Sequence, residues 1–182
     1  MHVRLDGSDV EVPAAATLAE LLEGIAPHIE PSRLVIQVEV DGTAADPTDE
    51  RALSAWRLGG GEGIRVDTET PDGFARTRRA EIAGHLRRLA DLISSAADGL
   101  AGGDAVEANR MLAVAARDLS LVLELDQAVG QLDGGTSRCL AVRTVVERIG
   151  TQLNDAEQAH RWSEVATLLS GELVPALRAG AA

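Results

Sequence analysis

The spacing of apolar residues changes at one point in this chain, and that change limits the folds open to it. Before "TPDG" at residues 70–73, apolar and polar residues alternate in short runs. Val3 with Leu5, Ile36 with Val38 and Val40, and Ile64 with Val66 keep a period of two, which suits half-buried strands. After residue 74 the apolar positions recur every third or fourth residue, the period of an amphipathic helix. Pro71 and Gly73 break regular structure between the two regimes. The sequence therefore predicts an α+β chain: a strand-rich domain at 1–70, a linker at 71–74 and a helical domain at 75–182.

The first region gives an element order. "HVRLDG" and "DVEV" place Val3, Leu5, Val10 and Val12 on one face, with Gly7-Ser8 as the tight connection. Thr17 followed by Glu20 has the form of a capping box, and Leu18, Leu21, Leu22 and Ile25 make a helical stripe behind it. Pro27 and Pro31 end that helix. "LVIQVEVDG" is a third strand carrying Leu34, Ile36, Val38 and Val40, with a turn at Asp41-Gly42. "DPTDERALSAW" holds one short helical turn, and "IRVDTE" is the last strand.

"RLGGGEGIRV", residues 57–66, carries Gly59, Gly60, Gly61 and Gly63. A phosphate cradle needs a helix N-terminus after the glycines, so that N–H groups and a positive dipole meet the anion. The β-patterned "IRVDTE" follows instead, and no Lys-Ser/Thr pair accompanies it. The glycines are read as a hairpin turn in which they supply positive φ angles.

This order of elements, ending in "LGGGEGIRV", resembles that of the β-grasp proteins, the ubiquitin-like and sulfur-carrier folds. The resemblance covers residues 1–70 and implies a β-grasp domain (ββαβ plus a final strand). In the carriers of that family a terminal Gly-Gly is activated chemically. Here the glycines are internal and the sequence closes on "RAGAA", so the resemblance implies no carrier chemistry.

The second region holds four helical patterns, at residues 75–100, 105–132, 137–160 and 161–180, with breaks at "GGD" and "DGGTS". Pro175 is expected to kink or shorten the last helix. Short connections make consecutive helices antiparallel neighbours, and so predict an antiparallel four-helix bundle.

Composition excludes some roles. The net charge is −12, and residues 1–73 carry 15 acidic residues against 5 arginines, a net of −10. Such a surface repels nucleic acid and anionic membrane, so neither is an expected partner. A single cysteine, Cys139, leaves no internal disulfide, and neither an export signal nor an 18-residue apolar run is visible. A cytoplasmic location is expected.

No catalytic, cofactor-binding or metal-binding constellation emerges. His2, His28, His85 and His160 are scattered without ligand spacing, and His85 is read as a core or boundary residue between Ile82 and Leu89. Cys139 sits near a helix start, where a thiol pKa can fall, but its apolar neighbours Leu140 and Val142 favour a buried structural role. Arg76, Arg78, Arg79, Arg87 and Arg88 form a basic collar on the first long helix. Three readings of the collar stand in order: a solvated face with pairs such as Arg88–Asp91, docking against the acidic domain, and an acidic external partner. In "MLAVAARDLSLVLELDQAV" apolar residues cover most of the circumference between Leu112 and Leu125. The helix is read as the central one of the bundle, or else as an exposed stripe for a partner helix or a second copy. Trp162 either seals the bundle end or is a contact hot spot. Scarce aromatics argue against a pocket built for a flat ligand.

The tail "RWSEVATLLSGELVPALRAG" resembles the helical-bundle chaperones and adaptors of bacterial flagellar export, over about the last 45 residues. That resemblance implies a groove holding an amphipathic segment of a client. The function expected is a non-catalytic interaction module that binds another protein or itself, through Arg76, Arg78, Arg79, Arg87, Arg88 and Trp162. The alternative is a carrier-like or accessory subunit of an enzyme.

Overall fold

A computed structural model describes residues 1–135 and 137–182. The chain is α+β and divides into two units, Met1–Phe74 and Ala75–Ala182.

The first unit is built on a mixed five-stranded sheet. Its strands are β1 (His2–Leu5), β2 (Ser8–Glu11), β3 (Leu34–Val40), β4 (Thr43–Ala45) and β5 (Ile64–Glu69). They lie in the order β2-β1-β5-β3-β4, with β1 and β5 parallel and the other pairs antiparallel. The register sets Val3 beside Ile64 and Leu5 beside Val66, while Val38 and Val40 flank Val66 and Ile64 from β3. These aliphatic side chains form one buried cluster with Leu18, Leu21 and Ile25 of α1 (Leu18–Ile25) and with Leu53 of α2 (Glu50–Ala55). The Thr17 hydroxyl accepts from Glu20 N at 3.2 Å, while the Glu20 carboxylate accepts from Ala16 N at 2.8 Å, so the capping box closes one residue early.

Both two-residue turns take positive φ at both central positions, the twist that a hairpin of right-handed strands requires. Asp41 and Gly42 have φ of 51° and 80°, as the sequence suggests. In the first hairpin the pair is Asp6-Gly7, at 48° and 83°, rather than Gly7-Ser8, because Ser8 is already paired with Leu5. Asp6 also makes a clasp. Its carboxylate accepts from Thr68 N and from the Thr68 hydroxyl, both at 2.6 Å, and faces Arg33 at 3.4 Å.

The second unit is helical: α3 (Pro71–Ala101), α4 (Ala105–Asp133), α5 (Leu140–Gln158), α6 (Trp162–Leu168), a π-helical segment (Leu169–Leu173) and α7 (Val174–Gly180). Residues 71–74, read as a linker, belong to the first turn of α3. Proline at a helix start gives up no hydrogen bond, and the Thr70 hydroxyl accepts from Gly73 N at 3.1 Å. Pro175 does not end the last helix either. It cannot donate to the residue four before it, and the chain accommodates this by widening into the π-helical segment just upstream. The core joins Ile82, Leu86 and Ile93 of α3 to Val142 and Ile149 of α5 and to Val165, Leu169 and Leu177.

The reading of α4 as a helix buried on several sides is corrected. Its buried positions are Ala108, Ala115, Leu119, Val122, Asp126 and Val129, a single stripe at alternating steps of about three and four. Val106, Val114, Leu121 and Leu132 stand outside it, 86%, 50%, 57% and 47% exposed.

Candidate functional site

The helical unit holds an apolar groove of about 560 Å³. From α4 it takes Asn109, Leu112, Ala113, Ala115, Ala116 and Leu119, and from α5 it takes Val146, Ile149, Gly150, Leu153 and Glu157. Ile93, Val165, Leu169 and Leu173 complete the lining with Trp162. The α4 wall spans the ten steps from Asn109 to Leu119, and is therefore about 15 Å long, or nearly three turns. Ala113, Ala116 and Gly150 keep its borders low. Two of the lining positions, Leu169 and Leu173, open and close the π-helical segment. Asn109 and Glu157 bring polar side chains to it.

Trp162 is half-buried, packs against the helical core and lines the groove. Its ring tilts 55° against His160, with centroids 5.5 Å apart. The five arginines do not converge. Arg76, Arg87 and Arg88 are exposed, whereas Arg78 and Arg79 are half-buried at the edges of the buried stripe of α3. Arg78 pairs with Glu81 at 2.6 Å, Arg87 reaches the carbonyl of Ala181 at 3.5 Å, and the Arg79 guanidinium lies over Gly135. Arg88 contacts His85 Nδ1 at 3.0 Å, and Asp91 faces Arg178 instead, which corrects the Arg88–Asp91 pair. His85 is exposed rather than a core residue.

The glycine stretch is corrected as well. It is not a hairpin turn, because β5 pairs with β1 and β3 and the segment before it is not its partner strand. Of the four glycines only Gly60 has a positive φ, 94°. The loop does bind an anion, and the anion is its own: the Glu62 carboxylate accepts from Gly59 N and, at 2.8 Å, from Gly60 N. The Gly59 N–H above all, with the other loop amides, holds the Glu62 carboxyl below its ordinary pKa. Gly63 N donates to Asp41 at 2.8 Å, fixing the loop to the β3–β4 turn.

Cys139 is fully buried as the N-cap residue of α5, and burial first, then the charge of Asp126, pushes its thiol up to about 12. Such a thiol is neutral and inert at neutral pH. Among the described residues no cluster of three or more His, Cys, Asp or Glu is placed to hold a metal ion, and no helix is long and apolar enough to cross a membrane.

Sequence reasoning reached a groove only as what a resemblance implies and, apart from Trp162, named none of its lining residues as a site. Its signal was present in the small residues Ala113, Ala116 and Gly150, but small residues serve close packing as readily as an open cleft.

No protein-family model matches the chain, and no solved structure matches it. It is 41% identical over 63 residues to Plant UBX domain-containing protein 5 of Arabidopsis thaliana. The matched stretch is 35% of this chain and spans 15% of that protein's length. A UBX relative and an N-terminal mixed sheet fit a ubiquitin-like fold.

Proposed function

We propose that this chain is a non-catalytic protein-interaction module: a β-grasp, ubiquitin-like domain followed by an antiparallel helical bundle whose groove receives an amphipathic helix of a partner protein. The observation that carries the reading is the groove itself. Its walls are almost wholly aliphatic, its length matches about three helical turns, and helix-in-groove recognition needs just such a strip for anchors at i, i+3, i+4 and i+7. The UBX relative supports the first half of the proposal and a protein partner for the whole. From the flagellar export chaperones the proposal takes only a mode of binding, a helical groove holding a client segment. Arg76, Arg78, Arg79, Arg87 and Arg88 act as a solvated collar, and Trp162 as the groove's aromatic contact. The location proposed is the cytoplasm, in keeping with the unpaired, buried Cys139.

The test is a titration with a synthetic 18-residue amphipathic helix bearing leucines at i, i+3, i+4 and i+7 (about five turns, longer than the groove). Trp162 reports binding once Trp56 is replaced by Phe. A saturable emission shift that Ala116→Phe abolishes, by filling the groove, supports the reading. An unchanged emission, or a shift that survives Ala116→Phe, contradicts it.

A further inference from the structure

The outward face of α4, opposite its buried stripe, carries a pattern of its own. Val114, Leu121 and Ala128 recur every seven residues and are all exposed, so they share one line along the helix. Arg117 and Glu124 flank that line on the same side, also seven residues apart. Seven residues of helix rise about 10.5 Å, too far for these two side chains to pair with each other. Neither makes an ion pair among the described residues, whereas Arg110 on the same helix pairs with Glu107 at 3.7 Å. The face therefore holds an apolar line and two opposite charges with no ion-pair partner among the described residues.

We propose that this face is a self-association surface on which a second copy of the chain packs antiparallel about a two-fold axis at Leu121. The proposal rests on the reading of the chain as an interaction module, but it uses a different face of α4 from the groove. A two-fold interface must be complementary to itself, and this one is. With the axis at Leu121, that residue meets its own counterpart, and Val114 meets the counterpart of Ala128. A residue on one flank of the line stays on that flank across the axis. Arg117 accordingly lies beside the counterpart of Glu124, and Glu124 beside the counterpart of Arg117. A parallel pairing would leave Arg117 about 10.5 Å along the axis from the counterpart of Glu124 and on the opposite flank, so only the antiparallel arrangement brings the two opposite charges together.

The experiment is sedimentation of the full chain over a wide concentration range, which separates the 19.0 kDa monomer from a species of twice that mass. Arg117→Glu and Glu124→Arg are each expected to weaken the dimer by about tenfold or more, since each creates two like-charge contacts. The double variant Arg117→Glu/Glu124→Arg rebuilds both pairs with signs exchanged, and is expected to return to within about threefold of the native value. Leu121→Arg removes the dimer altogether. All these positions are exposed, so circular dichroism and the melting temperature stay at their native values. A chain that remains monomeric at every concentration overturns the proposal, as does a dimer indifferent to Leu121→Arg or a double variant that is not rescued. Peptide binding in the groove is expected to survive Arg117→Glu, so failure of the dimer and failure of the groove are separate results.

Discussion

The carboxylate of Asp126, on α4, accepts a hydrogen bond from the backbone N–H of Cys139, the N-cap residue of α5, at 3.3 Å. The same carboxylate takes Arg138 N at 3.1 Å and the Ser137 hydroxyl. Asp126 is 2% exposed, so a residue from one helix satisfies the free N–H groups at the start of the next and sets its negative charge against that helix's positive end. Replacing Asp126 by Ala strands these donors in the interior, and is expected to cost about 2–4 kcal/mol of the helical unit's stability. Asp126→Asn keeps an acceptor and costs about half as much. Urea unfolding followed through Trp162, which packs on this core, checks both.

Alkaline pH isolates Cys139. The chain has no lysine and no tyrosine, so Cys139 is the one side chain that changes charge between about pH 8.5 and 12. Its folded pKa is raised to about 12 from an ordinary 9.0. The folded state thus holds the proton more tightly, and the stabilisation is complete below pH 9 and lost as pH rises from 9 toward 12. The expected loss approaches about 1.4 kcal/mol per pH unit in that window. Cys139→Ala should flatten the slope, and maleimide at pH 8 should label native protein far more slowly than unfolded protein.

Neighbouring glycines separate conformational need from mere space. A Cβ at Gly60 or Gly61 meets nothing within 4 Å, but only Gly60 has a positive φ, 94°. Gly60→Ala is expected to destabilise the first unit by about 1–2 kcal/mol. Gly61→Ala is expected to be neutral or to stabilise by up to about 1 kcal/mol, by restricting the unfolded chain. Denaturation followed through Trp56, which packs on the first unit's core, reads both.

Strong acid releases the Asp6 clasp. Burial raises the Asp6 pKa, but the Thr68 hydroxyl, the Thr68 N–H and the charge of Arg33 together outweigh it and hold the carboxyl below its ordinary value. The clasp's contribution is therefore present above about pH 4 and lost as pH falls through the lowered value. Asp6→Ala is expected to cost about 1 kcal/mol at pH 7, modest because the carboxylate is partly exposed, and to make the first unit less sensitive to acid. Melting of the variant and the native chain at pH 7 and pH 3 checks the sign.

Periodicity made most of the fold legible. Val3, Val38, Ile64 and Val66 announced the sheet's inner face, and Ile82, Leu86 and Ile93 announced the buried face of α3. What stayed hidden depends on tertiary partners. Thr43–Ala45 lacks strand character and becomes β4 only because the Asp41-Gly42 turn lays it along β3. In α4 the composition shows aliphatic residues all round, but composition does not say which of them find neighbours. Leu119 does, and Leu121 does not. The arginine cluster was visible as residues, but its scatter round the helix and its separate partners at Glu81, His85 and Ala181 follow only from the three-dimensional arrangement. Glu62 was present in the motif from the start. That it fills the glycine loop was hidden because a carboxylate looks like solvent-facing charge until the amides are seen to converge on it.

The most direct test of the interaction reading is a methyl-resolved NMR titration of the full chain with the amphipathic peptide. Saturable shifts are predicted for Leu112, Ala116, Val146, Leu153 and Leu169, with the methyls of Val3, Val38 and Val66 in the first unit left in place. Shifts confined to the first unit, or none at concentrations well above a micromolar binding constant, would contradict the account.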